Sequence, residues 1–343
     1  MIETTRRFPA EWEEQDGVLM AWPHKGTEWS NLSDVQAVTI EMAREITRFE
    51  DLLLAAPDVD EPRRFMTDAG LPLDRIRFVE VETNDTWARD FGPITVFEGD
   101  RPLMLDFGFN GWGLKFPSHL DNQISRKLAE LGVFGKTPLL TTGFVLEGGS
   151  IESDGRGTIL TTSTCLLSPN RNPHLSRIHI EEFLCQTLGA RRMLWIENGS
   201  LAGDDTDAHV DTLARFCPDD TIVYTVCDDP ADEHFGPLLA MAEELRSFRT
   251  LDGRPYRLMG LPWPDAVCDD EGRRLPATYA NFLVTNRTVL VPTYGSRKDR
   301  AAIEVIGRAF PDRAATGVHS LPLLTGNGSL HCITMQIPKG VLE

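Results

Sequence analysis

Apolar residues recur along the chain in five short runs typical of β-strands, each followed by a polar loop and an amphipathic helical pattern. The runs are GVLMAWP from Gly17, ITVFE from Ile94, TILTT from Thr158, TIVYTV from Thr221 and TVLVPTY from Thr288. Their spacing of roughly 65 residues exceeds that of common solenoid repeats. The spacing predicts five strand-rich units around an axis, and it leaves open an ordinary doubly wound α/β sheet.

The five helical patterns do not distinguish between these two folds, but they indicate where each unit begins and ends. They begin at Asp34, Ser118, Pro173, Pro230 and Lys298. Pro173 and Pro230 suit helix N-termini, and Gly132 and Gly189 suit C-caps. Because no low-complexity segment or long linker interrupts the pattern, we expect a single domain over residues 1–343.

Composition narrows the classes of ligand and compartment. The 343 residues include 34 basic and 52 acidic side chains, a net charge of −18. This balance argues against binding to nucleic acid or anionic membranes and fits a cationic ligand. The N-terminus lacks the apolar region of a signal peptide, and no run of about 18 apolar residues is present. Six cysteines without CxxC spacing predict free thiols in a reducing cytoplasm, not disulfides or structural zinc.

Four polar clusters beside the apolar runs carry the candidate chemistry. They are TNDTWARDFGPI with Asp90, GFVLEGGSIE with Glu147, DDTDAHVDTLARF with His209 and Asp211, and TGNGSLHCITMQIP with Cys332. In an extended chain residues i and i+2 share a face, so we expect His209 and Asp211 to face one cavity. His331 should then point away from Cys332 if that segment is a strand.

These clusters suggest a thiol mechanism. His209 is the best candidate base for Cys332, and Glu147 could fix the orientation of the imidazole. Asp90 and Asp211 are then free to bind a cation. The structural readings are that Cys332 is a small buried hydrophobe and that Asp90 caps a turn. A metal site built from the imidazole and the three carboxylates is the other chemical reading, and it leaves Cys332 and its glycine-rich loop unexplained. No nucleotide-binding motif is present.

The motifs together resemble the agmatine deiminases, within the wider group that includes the bacterial peptidylarginine deiminase. The resemblance rests on AWPH, NDTWARDFGP, LEGGSIESDGRGT, DDTDAHVDTLARF, YANFLV with VLVPTYG, and GNGSLHCITMQIP, in family order from Phe8 to Pro338. It implies the pentein fold, a five-bladed α/β propeller of ββαβ modules around a pseudo-fivefold axis.

By the same resemblance, Cys332 matches the nucleophile, His209 the general acid/base and Glu147 its carboxylate partner. Asp90 and Asp211 match the carboxylates that grip a guanidinium, and Trp87 matches an aromatic residue of the substrate pocket. The implied activity is hydrolysis of agmatine to N-carbamoylputrescine and ammonia, on a route to putrescine, with no metal and no organic cofactor. The chain departs from the family at Ala208, Asn327 and Met335, where Gly, Gly and Gln are common.

Alternatives remain open at this point. Free or peptidyl arginine could be the substrate, although no Arg is assigned to hold an α-carboxylate. The chain could also be a guanidinium-binding protein without turnover, or a metal-dependent amidohydrolase. A homo-oligomer is compatible with the sequence, and the sequence does not fix its size.

Overall fold

A computed structural model describes residues 6–27 and 29–342 of the chain. Within that part seventeen strands are present: β1 Arg6–Arg7, β2 Gln15–Ala21, β3 Asp51–Ala56, β4 Ile76–Glu80, β5 Ile94–Glu98, β6 Arg101–Gly108, β7 Leu139–Val145, β8 Ile151–Ser153, β9 Thr158–Thr162, β10 Arg192–Ile196, β11 Ala214–Cys217, β12 Thr221–Thr225, β13 Arg257–Leu261, β14 Leu283–Val284, β15 Thr288–Thr293, β16 Ala314–His319 and β17 Thr334–Pro338.

The same residues form nine helices and four short 3₁₀ segments. The helices are α1 Leu32–Ile46, α2 Asp60–Asp68, α3 Ala88–Phe91, α4 Gly111–Leu114, α5 Ile124–Glu130, α6 Ser163–Leu166, α7 Arg177–Leu188, α8 Phe235–Ser247 and α9 Asp299–Ala309. The 3₁₀ segments are Asp121–Gln123, Gly148–Ser150, Val210–Thr212 and Leu321–Gly326. None of these helices is long and apolar enough to cross a membrane.

The strands form five small sheets that repeat one arrangement. In the orders β5-β6-β7, β8-β9-β10, β11-β12-β13 and β14-β15-β16, the first pair is antiparallel and the second parallel. The fifth sheet has the order β17-β2-β3-β4, so the last strand supplies the antiparallel partner of the first long one, with Thr334 opposite Met20. The pairing of the last strand with β2 completes this fifth sheet, whereas β1 pairs antiparallel with β5 in another sheet.

The helices pack on the sheets through apolar stripes. In α1 the buried residues include Val35, Val38, Met42 and Ile46, at the three- and four-residue spacing of one helix face. Gly132 and Gly189 both take positive φ just after α5 and α7, as predicted for C-caps. Pro173 and Pro230 lie in the loops before α7 and α8, so that prediction of helix starts was wrong by several residues.

All five predicted apolar runs are strands, but one of them has a different place in its unit. GVLMAWP, TILTT, TIVYTV and TVLVPTY form or contribute to β2, β9, β12 and β15, which are central in their sheets. ITVFE is β5, the antiparallel strand, and the central strand of that sheet is β6. The sequence of β6 contains Pro102 and Asp106. A proline and a carboxylate interrupt the apolar run, so this strand was not predicted.

A buried ionic network links three of the units behind the candidate site. The Arg215 guanidinium lies 2.8 Å from Glu152 and 2.6 Å from Glu11, and it donates to the Phe282 carbonyl at 2.8 Å. All three charged side chains are at most 7% exposed. Burial opposes the ionised form of Glu11, but Arg215 and His331 nonetheless hold the pKa of Glu11 below its usual range. Each charge therefore depends on its partners to remain in the interior.

We expect Arg215→Met to destabilise the protein because it leaves two buried carboxylates without their cation. The free energy of unfolding should fall by about 3–5 kcal/mol, as measured by denaturant titration. The matched control is Arg273→Met, which breaks an exposed ion pair with Asp269 and should leave the denaturation midpoint unchanged. Equal midpoints for the two variants would contradict the role given to the buried network.

Candidate active site

The loops that lead into the antiparallel strands of the five sheets carry the predicted site residues. Asp90 precedes β5, Glu147 precedes β8, His209 and Asp211 precede β11, and Cys332 precedes β17. The corresponding loop before β14 contributes Asn281, which the predictions did not include. Because the sheets repeat one arrangement, these equivalent loops bring one polar side chain or more from each unit to a common place.

A cavity of about 200 Å³ opens at this place. Its described lining consists of aromatic, carboxylate and small polar residues: Trp29, Ser30, Asp85, Trp87, Asp90, Trp112, Phe116, Asp205, Thr206, Thr325, Gly326, Asn327, Gly328 and Cys332. Among these lining residues there is no lysine, arginine or histidine. The cavity is therefore suited to a small cationic ligand with flat or apolar parts.

Cys332 lies in a turn at the inner end of the cavity, not in a strand as expected. The turn is fixed by Asn281, whose side-chain oxygen accepts the backbone N–H of His331 at 3.0 Å and that of Cys332 at 3.3 Å. The Asn281 amide also donates to the Cys332 sulfur at 3.1 Å. Burial, with Asp211 and Asp90 close by, raises the pKa of the Cys332 thiol well above its ordinary value. In the absence of a ligand the sulfur is protonated.

Asp211 holds one oxygen toward this sulfur. Its Oδ2 atom lies 3.9 Å from the Cys332 sulfur and 2.7 Å from Nδ1 of His331. His331 bonds in turn to Glu11 through Nε2 at 2.7 Å. The other carboxylate oxygen, Oδ1, is buried and has no hydrogen-bond partner. Burial works against ionisation of Asp211, but His331 outweighs it and lowers the pKa of this carboxyl. Asp211 thus presents an ionised, unsatisfied oxygen.

Asp90 is the second buried carboxylate at the sulfur. It lies in α3, which ends where Gly92 precedes Pro93, since the residue before proline is biased away from the helical region. Its oxygens accept the Trp112 indole N–H at 2.9 Å and the Gly149 backbone N–H at 3.0 Å. Burial raises the pKa of Asp90 to about 6, with Asp211 adding to the rise and His209 and Trp112 opposing it.

His209 lies between two carboxylates and bonds to neither. Its Nδ1 is 3.6 Å from Asp90 and its Nε2 is 4.0 Å from Glu147, and both nitrogens are buried without a hydrogen-bond partner. Burial favours the neutral ring, but the nearby Asp90 and the Cys165 and Glu147 groups outweigh it and raise the pKa of His209 well above its ordinary value. The ring is therefore held as an imidazolium.

Glu147 was expected to orient His209, but its closest partner is Arg171. The Nε atom of Arg171 lies 3.0 and 2.8 Å from the two carboxylate oxygens. Arg171 also contacts Asp207 at 2.6 Å, and Asp207 is held by Lys115 at 2.6 Å. This chain of alternating charges was not predicted, because Arg171 and Lys115 lie outside the predicted motifs and the pairs join residues far apart in the sequence.

Glu147 belongs to the one group of side chains among the described residues whose spacing fits a metal ion. Ligand atoms of Glu147, Cys165 and His209 lie within 4.8 Å of one another, and all three residues are buried. The set differs from the His209, Asp211, Asp90 and Glu147 site considered above. Arg171 already pairs with the Glu147 carboxylate, so a metal ion there would compete with the guanidinium for that negative charge.

The expected strand geometry around His209 and Asp211 is wrong, although both residues are in the cluster. Asp211 lies in a 3₁₀ turn that His209 precedes, and not in an extended strand. Gly149 lies directly against these side chains. A Cβ atom added there would lie 2.6 Å from His209 Nδ1 and 3.0 Å from both Asp90 Oδ1 and Asp211 Oδ2. His331 joins the cluster through Asp211, by bonding the same carboxylate oxygen that faces the Cys332 sulfur.

The glycines before Cys332 are required because two indole rings pack directly against their backbone. A Cβ atom at Gly326 would lie 2.4 Å from the Trp29 ring, and one at Gly328 would lie 2.2 Å from the Trp87 ring. The two rings pack together with centroids 5.3 Å apart. Trp87 therefore forms a cavity wall against which the cysteine loop closes, as its predicted place in the pocket requires.

The backbone conformation explains why glycine is common at two of the positions where this chain departs from its family. Ala208 and Asn327 have φ values of 64° each, in the left-handed region that glycine adopts without strain. Asp204 accepts the Ala208 N–H at 2.6 Å, and the Asn327 amide donates to Asp205 at 3.0 Å. These bonds offset the strain that a side chain introduces. Met335 packs on Arg89, outside the cavity lining.

Fold and site together define the class of the protein. Five small mixed sheets of one order, with a buried cysteine, histidine and carboxylates in the connecting loops, form a pentein of the kind that modifies guanidino groups. Comparison with known proteins narrows this class. Residues 7–338 match the family model of the Porphyromonas-type peptidyl-arginine deiminases.

The chain is 35% identical to the agmatine deiminase of Pseudomonas aeruginosa (strain UCBPP-PA14), with 97% of this chain and 95% of that protein covered. A cysteine-to-serine variant of C. jejuni agmatine deiminase with substrate bound is 38% identical, with a TM-score of 0.91 and coverage of 98% and 97%. A Porphyromonas gingivalis structure, provisionally described as an arginine deiminase, is 47% identical, with a TM-score of 0.93 and coverage of 98% and 100%. The chain belongs to the Porphyromonas-type peptidyl-arginine deiminase family.

The bond from Trp112 to Asp90 yields a prediction about protonation. Trp112→Phe keeps an aromatic ring but removes the N–H that stabilises the Asp90 carboxylate. We expect the pKa of Asp90 to rise above 6 by about half a unit or more, as measured by carbon NMR of aspartate-labelled protein, with Asp90→Asn to assign the signal.

The matched control is Trp195→Phe, which removes a different indole–carboxylate bond, to Glu181 at 3.2 Å. That variant should leave the titration of Asp90 unchanged. If the pKa of Asp90 stays the same in Trp112→Phe, the indole does not stabilise the ionised carboxylate.

Proposed function

We propose that the protein is an agmatine deiminase, which hydrolyses the guanidinium of agmatine to a ureido group and ammonia with Cys332 as nucleophile. The observation that carries the proposal is the pair of buried carboxylates, Asp90 and Asp211, beside the one cysteine that lines the described cavity. No metal or organic cofactor takes part. The names of the relatives point to the same chemistry.

A guanidinium binds between Asp90 and Asp211. Both carboxylates are buried, and Asp211 keeps one oxygen without a partner. Charge-assisted hydrogen bonds from the flat cation to two carboxylates fix both its position and its plane. Trp87 and Trp112 supply aromatic walls, over which a delocalised cation is also favourable. The central carbon then lies beside the Cys332 sulfur.

Substrate binding activates the nucleophile. In the free protein burial raises the pKa of the Cys332 thiol, and Asp211 and Asp90 raise it further, because two negative groups disfavour a third. A bound guanidinium neutralises these carboxylates and favours the thiolate, which is the reactive form. The thiol proton leaves to solvent as the cation binds. The sulfur is therefore reactive only when its target is in place.

His209 then serves as acid and afterwards as base. The thiolate adds to the guanidinium carbon, and the His209 imidazolium, whose pKa is raised, protonates the departing amino group as ammonia. An amidino group remains on the sulfur. Neutral His209 takes a proton from water as the water adds to this group. Collapse of the adduct releases the ureido product, and the hydroxyl proton of the adduct passes to the departing sulfur, which restores the Cys332 thiol. Glu147 keeps negative charge near the ring throughout.

The charge of the cavity lining favours agmatine over free arginine. Asp85 and Asp205 belong to this lining, and none of the described lining residues is basic. Lys115, whose ammonium also donates to the backbone of Asp205, and Arg171 are both paired with Asp207. An ammonium tail is therefore matched there, whereas an α-carboxylate would meet carboxylates. The volume of about 200 Å³ also suits a ligand smaller than the drug-sized molecules that occupy pockets of about 300–1,000 Å³.

The direct test is ammonia release by the purified protein with agmatine, free arginine or a blocked arginine peptide, each with and without EDTA. We expect turnover of agmatine that is insensitive to EDTA. It should be lost in Cys332→Ser and retained in Cys268→Ser, which changes an exposed cysteine.

Each other outcome identifies an alternative. Turnover of arginine or of the peptide in place of agmatine would keep the mechanism and overturn the substrate. Sensitivity to EDTA would favour a metal-dependent amidohydrolase. No ammonia from any compound, with calorimetric binding of agmatine retained, would make the protein a guanidinium-binding protein.

A further inference from the structure

The general acid/base proposed above has an unusual environment for a buried histidine. Both ring nitrogens of His209 are buried, and neither has a partner with hydrogen-bonding geometry. Buried polar groups almost always have a partner, because an unmet donor or acceptor costs about 1–3 kcal/mol. The carboxylates on either side are at 3.6 and 4.0 Å and are occupied by other donors.

Cys165 is a further polar side chain close to this ring. Its sulfur lies within 4.8 Å of a His209 ring nitrogen and of a Glu147 oxygen, and it is fully buried. Burial raises the pKa of the Cys165 thiol, so the group is a neutral S–H and not a second thiolate. Hydrogen bonds to sulfur are longer than those to oxygen, and a thiol both donates and accepts weakly.

The position of Cys165 relative to the histidine loop is fixed by Thr162. The Thr162 hydroxyl donates to the backbone oxygen of Ala208, the residue before His209, at 2.7 Å. The same hydroxyl oxygen accepts the backbone N–H of Cys165 at 3.4 Å, which is the cap of α6. One side chain therefore ties the cysteine turn to the loop that carries the imidazole.

We propose that Cys165 is a positioning residue, whose thiol is the hydrogen-bond partner that holds the His209 ring during the proposed deimination. The expected effect on turnover rests on the proposed function, whereas the hydrogen bond between Cys165 and His209 does not.

A thiol suits a ring that must change its protonation state. A carboxylate only accepts, so a carboxylate partner holds the imidazolium and loses its bond when the ring becomes neutral. The Cys165 S–H accepts from the imidazolium N–H, and by rotating it donates to the neutral ring. Both states keep a partner, and the imidazolium is the more favoured of the two because its charged N–H is the stronger donor. No proton is transferred to or from the sulfur.

Other charged groups also face His209, and the test must separate them from Cys165. Asp90 lies on the α3 side, Glu147 with its cation Arg171 on the β8 side, and Asp211 follows two residues along the chain. None of these changes when Cys165 is replaced. A change in the titration of His209 in a Cys165 variant is therefore assigned to the thiol.

The experiment compares Cys165→Ala, Cys165→Ser and the control Cys217→Ala, which changes a buried cysteine in β11. The first readout is the pKa of His209 by nitrogen NMR of histidine-labelled protein, which needs no turnover. We expect Cys165→Ala to lower this pKa by about half a unit and Cys165→Ser to restore it. Cys217→Ala should change nothing.

The second readout is kinetic. With agmatine, kcat of Cys165→Ala should fall about fivefold with KM little changed, and the limb of the kcat–pH profile that reports His209 should move with the measured pKa. A protein that turns over no agmatine fails the proposed function, while the NMR result still decides the role of Cys165.

Three results would overturn the proposal. One is a His209 pKa in Cys165→Ala equal to that of the parent. Another is a Cys165→Ser variant no better than Cys165→Ala, because a hydroxyl also donates and accepts and packing alone would then matter. The third is one Zn²⁺ bound per chain by calorimetry and lost in Cys165→Ala, which would make the sulfur a metal ligand.

Discussion

Buried charge is the constraint on which the rest of the structure depends. A site that binds a guanidinium needs ionised carboxylates away from water, and each such carboxylate is costly unless it is paired or hydrogen-bonded. The protein meets this cost in layers. Asp211 is held by His331, His331 by Glu11, and Glu11 by Arg215. Glu147 is held by Arg171 in the same way. One carboxylate oxygen of Asp211 is left without a hydrogen-bond partner, at the place where a ligand would bind.

The five-sheet fold makes this layering practicable. Every sheet is entered through a loop of equivalent position, so polar groups from distant parts of the chain converge while the strands bury the apolar residues around them. The pairing of β17 with β2 completes the set and fixes the turn that carries Cys332. The N-terminal segment joins the same centre through Glu11. The same residues therefore support stability and chemistry. Arg215 stabilises the buried charges and, through Glu11 and His331, also holds Asp211 in place.

Much of this was predictable from sequence, and the failures have physical causes. Apolar and β-branched runs predicted strands, and motif order identified the family and six residues of the cluster. The strand geometry assigned to His209, Asp211 and Cys332 was wrong because the residues lie in turns whose shape is set by partners elsewhere, such as Asn281. Trp112, Arg171 and Cys165 were missed because their roles arise only from contacts between units. A lone cysteine in an apolar run carries no sign that an imidazole lies beside it.

The central claim is that Cys332 forms a covalent bond to the substrate carbon. The most direct measurement is mass spectrometry of protein quenched in acid during turnover of agmatine, followed by digestion and sequencing of the cysteine peptides. The account predicts an added amidino group on the peptide that contains Cys332, and on no other cysteine peptide. Turnover with unmodified Cys332, or with the group on Cys165 instead, would contradict it.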